Sequence, residues 1–395
     1  MVRFILAVCL LLCLLPATGC KTPEELNNIG IVVAVALDRD LASGDILVTS
    51  EVIRPAALDK KGARNQEVVD IVTGRGSTIF EAVRNTTQIL DRINFYAHTK
   101  VIIVDETLAK EGLTPLLDFF VRGRQLRGYT LLCIAKQGQA KDILNVKTGV
   151  DVIPAIYLRD TIKNTKYNNK AVVSSVVDYY RDFLKEGNCS VLGVVEVAPG
   201  EGGGSGDKQK TGAEQVKSSG AAVFKKDRLA GYLDETETQG LNWLVKELPN
   251  GLVTLPSRLE PGKLISLEIE SSKTSIKPEY REGKLCFVIQ VETELTLVEQ
   301  QGKKKILAPK AMLDYLGGVR EDAEREIGDS ISRTILKTQN EFDCDVVGFA
   351  SALKQKEPEI WRTVADNWEE VFPTVDHELH VQVHIVGTAL KQGFF

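Results

Sequence analysis

Cys20 carries the most specific chemistry in the chain. It follows a basic Arg3, an apolar run from Phe4 to Leu15 and the small residues Ala17-Thr18-Gly19. Twelve apolar residues are too few to cross a bilayer, which takes roughly 20. The pattern is that of a signal peptide, with n-region, h-region and small-residue cleavage site in order. A plain secretory signal has no need of a thiol directly after the small residues. A lipoprotein signal does, because that thiol takes a diacylglyceryl group and the peptidase cuts before it. Residues 1–19 therefore read as signal and Cys20 as the lipidated mature N-terminus. Each buried methylene contributes about 0.8 kcal/mol, and two long acyl chains anchor stably where one does not.

The remaining candidates are less specific. Gly74-Arg75-Gly76 ahead of a helix resembles a phosphate loop, but the third glycine of the dinucleotide fingerprint is missing and no Gly-Lys-Ser/Thr occurs. Thr78 and Glu81, at capping-box spacing, explain the same stretch as a helix entry. In HELHVQVHIV, His380 and His384 have the spacing that chelates metal on a helix. The run alternates like a strand, however, which sets the two rings roughly 13 Å apart. His377 belongs to the same run, and His98 stands alone before a strand with no G-x-S-x-G nucleophile to orient. Trp361, Trp368 and Phe372 are expected on one face of a helix opened by Pro358, as core aromatics. Cys133, Cys189, Cys286 and Cys344 contain no C-x-x-C pair and are expected to be free, mostly buried thiols. No catalytic, cofactor-binding or metal-ligating residue is nominated.

The elements around these residues fall into two textures. Before residue 198, strands at 29–38, 45–54, 68–73, 99–105, 129–135 and 190–197 are interleaved with helices at 78–90, 106–111, 115–122, 151–165 and 172–185. That interleaving predicts a mixed sheet covered by helices. Residues 199–212 contain no core-forming side chain and read as a flexible linker or long exposed loop. Beyond them period-two alternation dominates: Ile265, Leu267 and Ile269; Leu285, Phe287, Ile289, Val291, Leu295 and Leu297; Leu379, Val381, Val383 and Ile385. This predicts an antiparallel sheet with one covered face. The cover is a long helix at 309–340, whose stripe is Val319, Ala323, Ile327, Ile331 and Ile335. The fold class is α+β. The division is 1–19 signal, 20–197 N-terminal domain, 198–213 linker and 214–395 C-terminal domain, the last open to division into two subdomains.

A chain of 395 residues with a net charge of −5 and mixed charges has ample core and gives no electrostatic reason to bind nucleic acid or anionic lipid head groups. Exported proteins can form disulfides, but a body this long does not require them.

Four blocks resemble the Ger(x)C lipoproteins, the C subunits of bacterial spore germinant receptors. The first is Cys20 with PEELNNIGIVVAVALDRD. The second is GSTIFEAVRN with AHTKVIIVDETLAKEGL and DFFVRGRQLRG, and the third is LLCIAKQGQAKDIL. The fourth runs from KTQNEFDCDVVGF to the closing strand, with Asp345, Gly348, Pro358, Trp361, Trp368, Phe372 and Pro373 at family positions. The resemblance implies a non-enzymatic subunit without cofactor, lipid-anchored on the outer face of the spore's inner membrane. Its implied partners are integral membrane A and B subunits, in nutrient-triggered germination. A lipid-anchored solute-binding protein of a transporter is the alternative, and it would require two similar lobes around a ligand cleft.

Overall fold

The computed structural model describes residues 29–388 apart from 55–67, 124–125, 147–152, 188, 201–213, 246, 249, 282 and 305–307. The signal at 1–19, Cys20 and most of the Gly-rich stretch lie outside the described residues.

The architecture is α+β, with two mixed sheets. The first contains β1 (Ile29–Arg39), β2 (Ile46–Ile53), β3 (Val69–Gly76), β4 (Ile93–Phe95), β5 (Val101–Asp105), β6 (Leu131–Ala135), β7 (Cys189–Ala198), β8 (Gln215–Lys225) and β9 (Arg228–Leu233). Their order is β3-β2-β1-β5-β6-β7-β8-β9, with β4 paired to the start of β1. The central strands β1, β5, β6 and β7 run parallel, and the outer pairs are antiparallel.

Parallel neighbours need crossovers, and here those are helices. They are α1 (Ile79–Asn85), α2 (Glu106–Glu111), α3 (Thr114–Arg122), α4 (Ala140–Asn145), α5 (Pro154–Asn164) and α6 (Val176–Phe183). α1, α2, α3 and α6 bury Ala82, Leu108, Leu117, Phe120 and Tyr179 in one cluster. α4 and α5 bury Ile143, Leu158 and Ile162 in another. Covered on both faces, β5 as far as Val104 and all of β6 are continuous apolar runs, and every residue of both strands is buried.

The helix expected from residue 172 starts at Val176. Ser175 caps it in a reciprocal box with Asp178, so residues 172–175 stay extended, and the Ser174 carbonyl accepts from the Leu132 N–H. β8 and β9, which the sequence reading assigns to the C-terminal domain, complete the first sheet. Ala198 pairs with Gln215, so the Gly-rich stretch joins two arms of an antiparallel pair.

The second sheet contains β10 (Leu252–Pro256), β11 (Leu264–Arg281), β12 (Lys284–Gln300) and β13 (Asp376–Thr388), in that order. It packs with α7 (Glu235–Val245) and α8 (Pro309–Lys337), whose expected stripe from Val319 to Ile335 is buried throughout. One pairing corrects the expectation of an antiparallel sheet: β13 runs parallel to β12. The physical reason is the connection. α8, α9 (Phe349–Lys356), α10 (Pro358–Val364) and α11 (Trp368–Val371) form a long crossover, which returns the chain in its original direction.

Candidate functional site

The seam where the two sheets meet concentrates the polar and covalent chemistry. Cys189 opens β7, and Cys344 follows the π-helical turn that ends α8. The two form a disulfide across 155 residues, with Cα atoms 5.9 Å apart. This corrects the expectation of four free thiols. Cysteines so far apart in sequence give no spacing signal, and only the packing of β7 against the end of α8 brings them into bonding geometry. Cys133 is free and buried, with its thiol pushed up to about 12 by loss of solvation. Cys286 is also free, and burial raises it too.

Next to Cys344, the Asp345 carboxylate accepts hydrogen bonds from the backbone N–H groups of Gly348 (2.8 Å), Phe349 (3.0 Å) and Ala350 (2.6 Å). It accepts a fourth from the Trp368 indole Nε1–H at 3.1 Å. Burial raises its pKa, and the four donors work against that rise. Gly348 has φ +90°, a region that side-chain-bearing residues seldom adopt, so the α9 N-terminus can fold back onto Asp345. Trp368 lies 5.5 Å from Trp361, 6.4 Å from Phe287 and 6.3 Å from Phe372 between ring centroids, and Phe287 stacks on Phe349 at 4.2 Å. The single helix expected for these aromatics is broken. α10 ends at Val364, a 3₁₀ turn follows at Ala365–Asn367, and α11 restarts at Trp368. Trp368 and Phe372 are buried, while Trp361 packs on the core at its edge.

A cleft of about 320 Å³ opens along this seam, lined by Arg181, Lys185, Ser190, Asn242, Val347 and Ser351 among others. Its charges are answered locally. Arg181 pairs with Asp178 (3.0 Å) and Asp182 (3.3 Å), and Lys185 pairs with Asp182 (2.8 Å). Glu186 pairs with Lys354 of α9, another link between the halves. No histidine lines the cleft, and the lining cysteine, Cys189, is in the disulfide. The arrangement can fix two sheets relative to each other, but it sets no nucleophile beside a base.

The other sequence candidates lie elsewhere and apart. Gly74 and Gly76 are packing residues: a Cβ on either would meet the Ala82 backbone of α1, at 2.0 Å and 2.5 Å. Thr78 caps α1 by accepting from the Glu81 N–H, and the Glu81 carboxylate reaches back to Ser77. His98 is exposed, 6.0 Å from the Phe95 ring. On β13, His380 pairs with Glu378 (3.0 Å) and His384 with Glu292 (3.5 Å), while burial lowers the pKa of His377. Among the described residues, no three His, Cys, Asp or Glu side chains gather as a metal site.

Sequence reasoning missed three buried carboxylates that hold helix starts against the first sheet. Asp38 accepts from the N–H groups of Ala140 (2.5 Å) and Lys141 (3.0 Å), Asp105 from Leu108 (2.7 Å), and Glu51 from Ala155 (3.1 Å). Desolvation pushes Asp38 up to about 6 and Glu51 up to about 7, and raises Asp105. In sequence, Asp38 and Glu51 are acidic residues within β-rich runs, and Asp105 ends β5 at the N-cap of α2.

Two family models cover most of the chain. One described as "Spore germination protein N-terminal domain" matches residues 23–197, and one described as "Spore germination B3/ GerAC like, C-terminal" matches 219–389. Spore germination protein KC of Bacillus subtilis (strain 168) is 26% identical over 413 residues, covering 99% of this chain and 97% of that protein. Spore germination protein B3 of the same organism is 25% identical over 378 residues, covering 94% and 95%. The crystal structure of the GerBC protein superposes with a TM-score of 0.56 at 22% identity, covering 89% of this chain and 96% of that one, which is a likeness of fold.

Proposed function

The chain belongs to the Ger(x)C family of spore germination proteins, and from that premise we propose that it is the lipid-anchored C subunit of a nutrient germinant receptor. It acts by assembly with integral membrane A and B subunits, and it performs no chemistry of its own. The observation that carries this reading is the correspondence with spore germination proteins along nearly the whole chain, preceded by Ala17-Thr18-Gly19-Cys20. Cys20 is the lipidated residue, and the body stands on the outer face of the spore inner membrane. Among the described residues no helix is long and apolar enough to cross a membrane. Confinement beside partners in the same plane raises effective concentration, so a contact too weak for dilute solution is sufficient at the surface. The solute-binding alternative asks for two similar lobes. The two halves here differ in strand direction, helix placement and burial, which weighs against it.

Two experiments test the proposal. Tagged protein recovered from spore membranes should bring two integral membrane proteins with it, and Cys20→Ser should block both processing before residue 20 and membrane retention. Mature, membrane-held Cys20→Ser protein would overturn the anchor. Catalytic turnover by the purified body, or a normal germinant response after deletion of the chain, would overturn the assembly reading.

A further inference from the structure

The anchor reading has a geometric consequence at the start of β1. Eight residues separate Cys20 from Ile29, so at about 3.5 Å per residue Ile29 stays within roughly 30 Å of the lipidated residue. Ile29 pairs with Ile93 and Ile31 with Phe95, so β4 lies beside the end of the sheet that the tether reaches first. The segment leading into β4 is there too, since a Cβ on Gly30 would lie 3.4 Å from Leu90. This corner exposes large apolar side chains: Ile89 is 67% exposed, Ile93 45% and Phe95 39%. Ile93 and Phe95, two residues apart on β4, face the same way, with the buried Asn94 between them facing inward. Phe80, exposed on α1, packs on Phe119 at 5.8 Å, which in turn meets the buried Tyr96 at 6.3 Å.

We propose that the corner formed by Ile89, Ile93 and Phe95 is a membrane-docking surface that enters the outer monolayer beside the Cys20 lipid. The inference rests on the reading of Cys20 as lipidated. Tether length chooses the bilayer as occupant, because a body held this closely by its N-terminus presents this corner to lipid before any partner reaches it. Isoleucine and phenylalanine side chains gain by leaving water at the interface, where insertion reaches about 5–10 Å. Two attachments, the lipid and the corner, fix the orientation of the body over the membrane, where a lipid alone leaves it free to tumble.

The test uses the full lipidated chain in vesicles of phosphatidylethanolamine and phosphatidylglycerol, with no other protein. An environment-sensitive fluorophore is attached at Ile93→Cys or, separately, Phe95→Cys in a Cys286→Ser background. Leu313→Cys on α8, 71% exposed, is the control. The two corner probes should shift to the blue, resist aqueous iodide and be quenched by lipid-borne quencher, and the control should do none of these. Corner probes as open to iodide as the control would overturn the proposal, and so would shielding that appears only when integral partner proteins are added. Mass spectrometry of the same sample reports on Cys20 separately. An unmodified Cys20 overturns the anchor reading and this inference with it, whereas a lipidated chain with water-exposed corner probes overturns this inference alone.

Discussion

In the N-terminal sheet β5 and β6 are buried at every residue, whereas in the C-terminal sheet β11 and β12 bury every second side chain along most of their length. The first sheet has helices on both faces; the second is covered on one face by α7, α8 and α9, and the alternate side chains of β11 and β12 are largely exposed. That difference sets where charge is buried. A helix starting against a sheet covered on both sides brings N–H groups into a place water does not reach, and each such group needs an acceptor. Asp38, Glu51 and Asp105 are those acceptors. Among the described residues the second sheet has no such trio. Its buried carboxylates are Glu237 of α7, which pairs with Lys337 of α8 at 2.8 Å, and Asp345, which sits at the seam and joins α9 and Trp368 to the strand that carries Cys189. The N-terminal half thus uses buried acids to seat helices on its sheet, whereas in the C-terminal half Asp345 seats α9 at the seam and Glu237 ties α7 to α8.

The largest expected effect comes from cutting that join. Replacing both cysteines, Cys189→Ala with Cys344→Ala, frees a loop of 155 residues and should lower the unfolding free energy by about 5 kcal/mol, measured by denaturant titration. After protease cleavage within residues 201–213, the two pieces should migrate together on a denaturing gel without reductant and separate with it. Pieces that separate on that gel without reductant would mean that Cys189 and Cys344 are not bonded.

Next comes the aromatic anchor. Trp368→Ala removes a buried ring and the fourth donor to Asp345, and should cost about 3–5 kcal/mol. Trp361→Ala, at the edge of the core, should cost roughly half that or less. Equal losses would erase the distinction drawn between them, and an unchanged melting temperature with lost germination would make the pair a contact surface.

The smallest effect sharpens the contrast in buried acid. The Glu51 carboxyl rises from an ordinary 4.5 to about 7 in the folded state. Between those values the folded chain holds a proton that the unfolded chain has lost, so stability falls as pH rises from about 4.5 to about 7. Glu51 alone contributes on the order of 3 kcal/mol to that fall. Glu51→Gln should flatten the slope while keeping an acceptor for the Ala155 N–H. Asp38, raised from 3.8 to about 6, should supply part of the slope that remains. A variant with the original slope would show that Glu51 does not titrate as its burial requires.

What was legible in the sequence is what periodicity and local chemistry encode. The stripe from Val319 to Ile335 identified α8, because a helix on a sheet must repeat its apolar face every three to four residues. Alternation marked β11, β12 and β13, the Thr78 cap marked α1, and the thiol after Ala17-Thr18-Gly19 marked the expected anchor, each a signal contained within a dozen residues or so. Tertiary structure decided what depends on residues distant in sequence. Alternation sets which face of β13 is covered but not its direction; the length and path of the crossover from α8 to α11 made it parallel to β12. Cys189 and Cys344 are bonded because β7 and the end of α8 converge, and a sequence separation of 155 carries no record of that. The Gly-rich stretch reads as a spacer from its composition, yet β7 and β8 pair on either side of it, since backbone hydrogen bonding across a sheet leaves no mark on residue type. Asp345 looks like any acidic residue until Gly348, Ala350 and Trp368 direct their N–H groups at it.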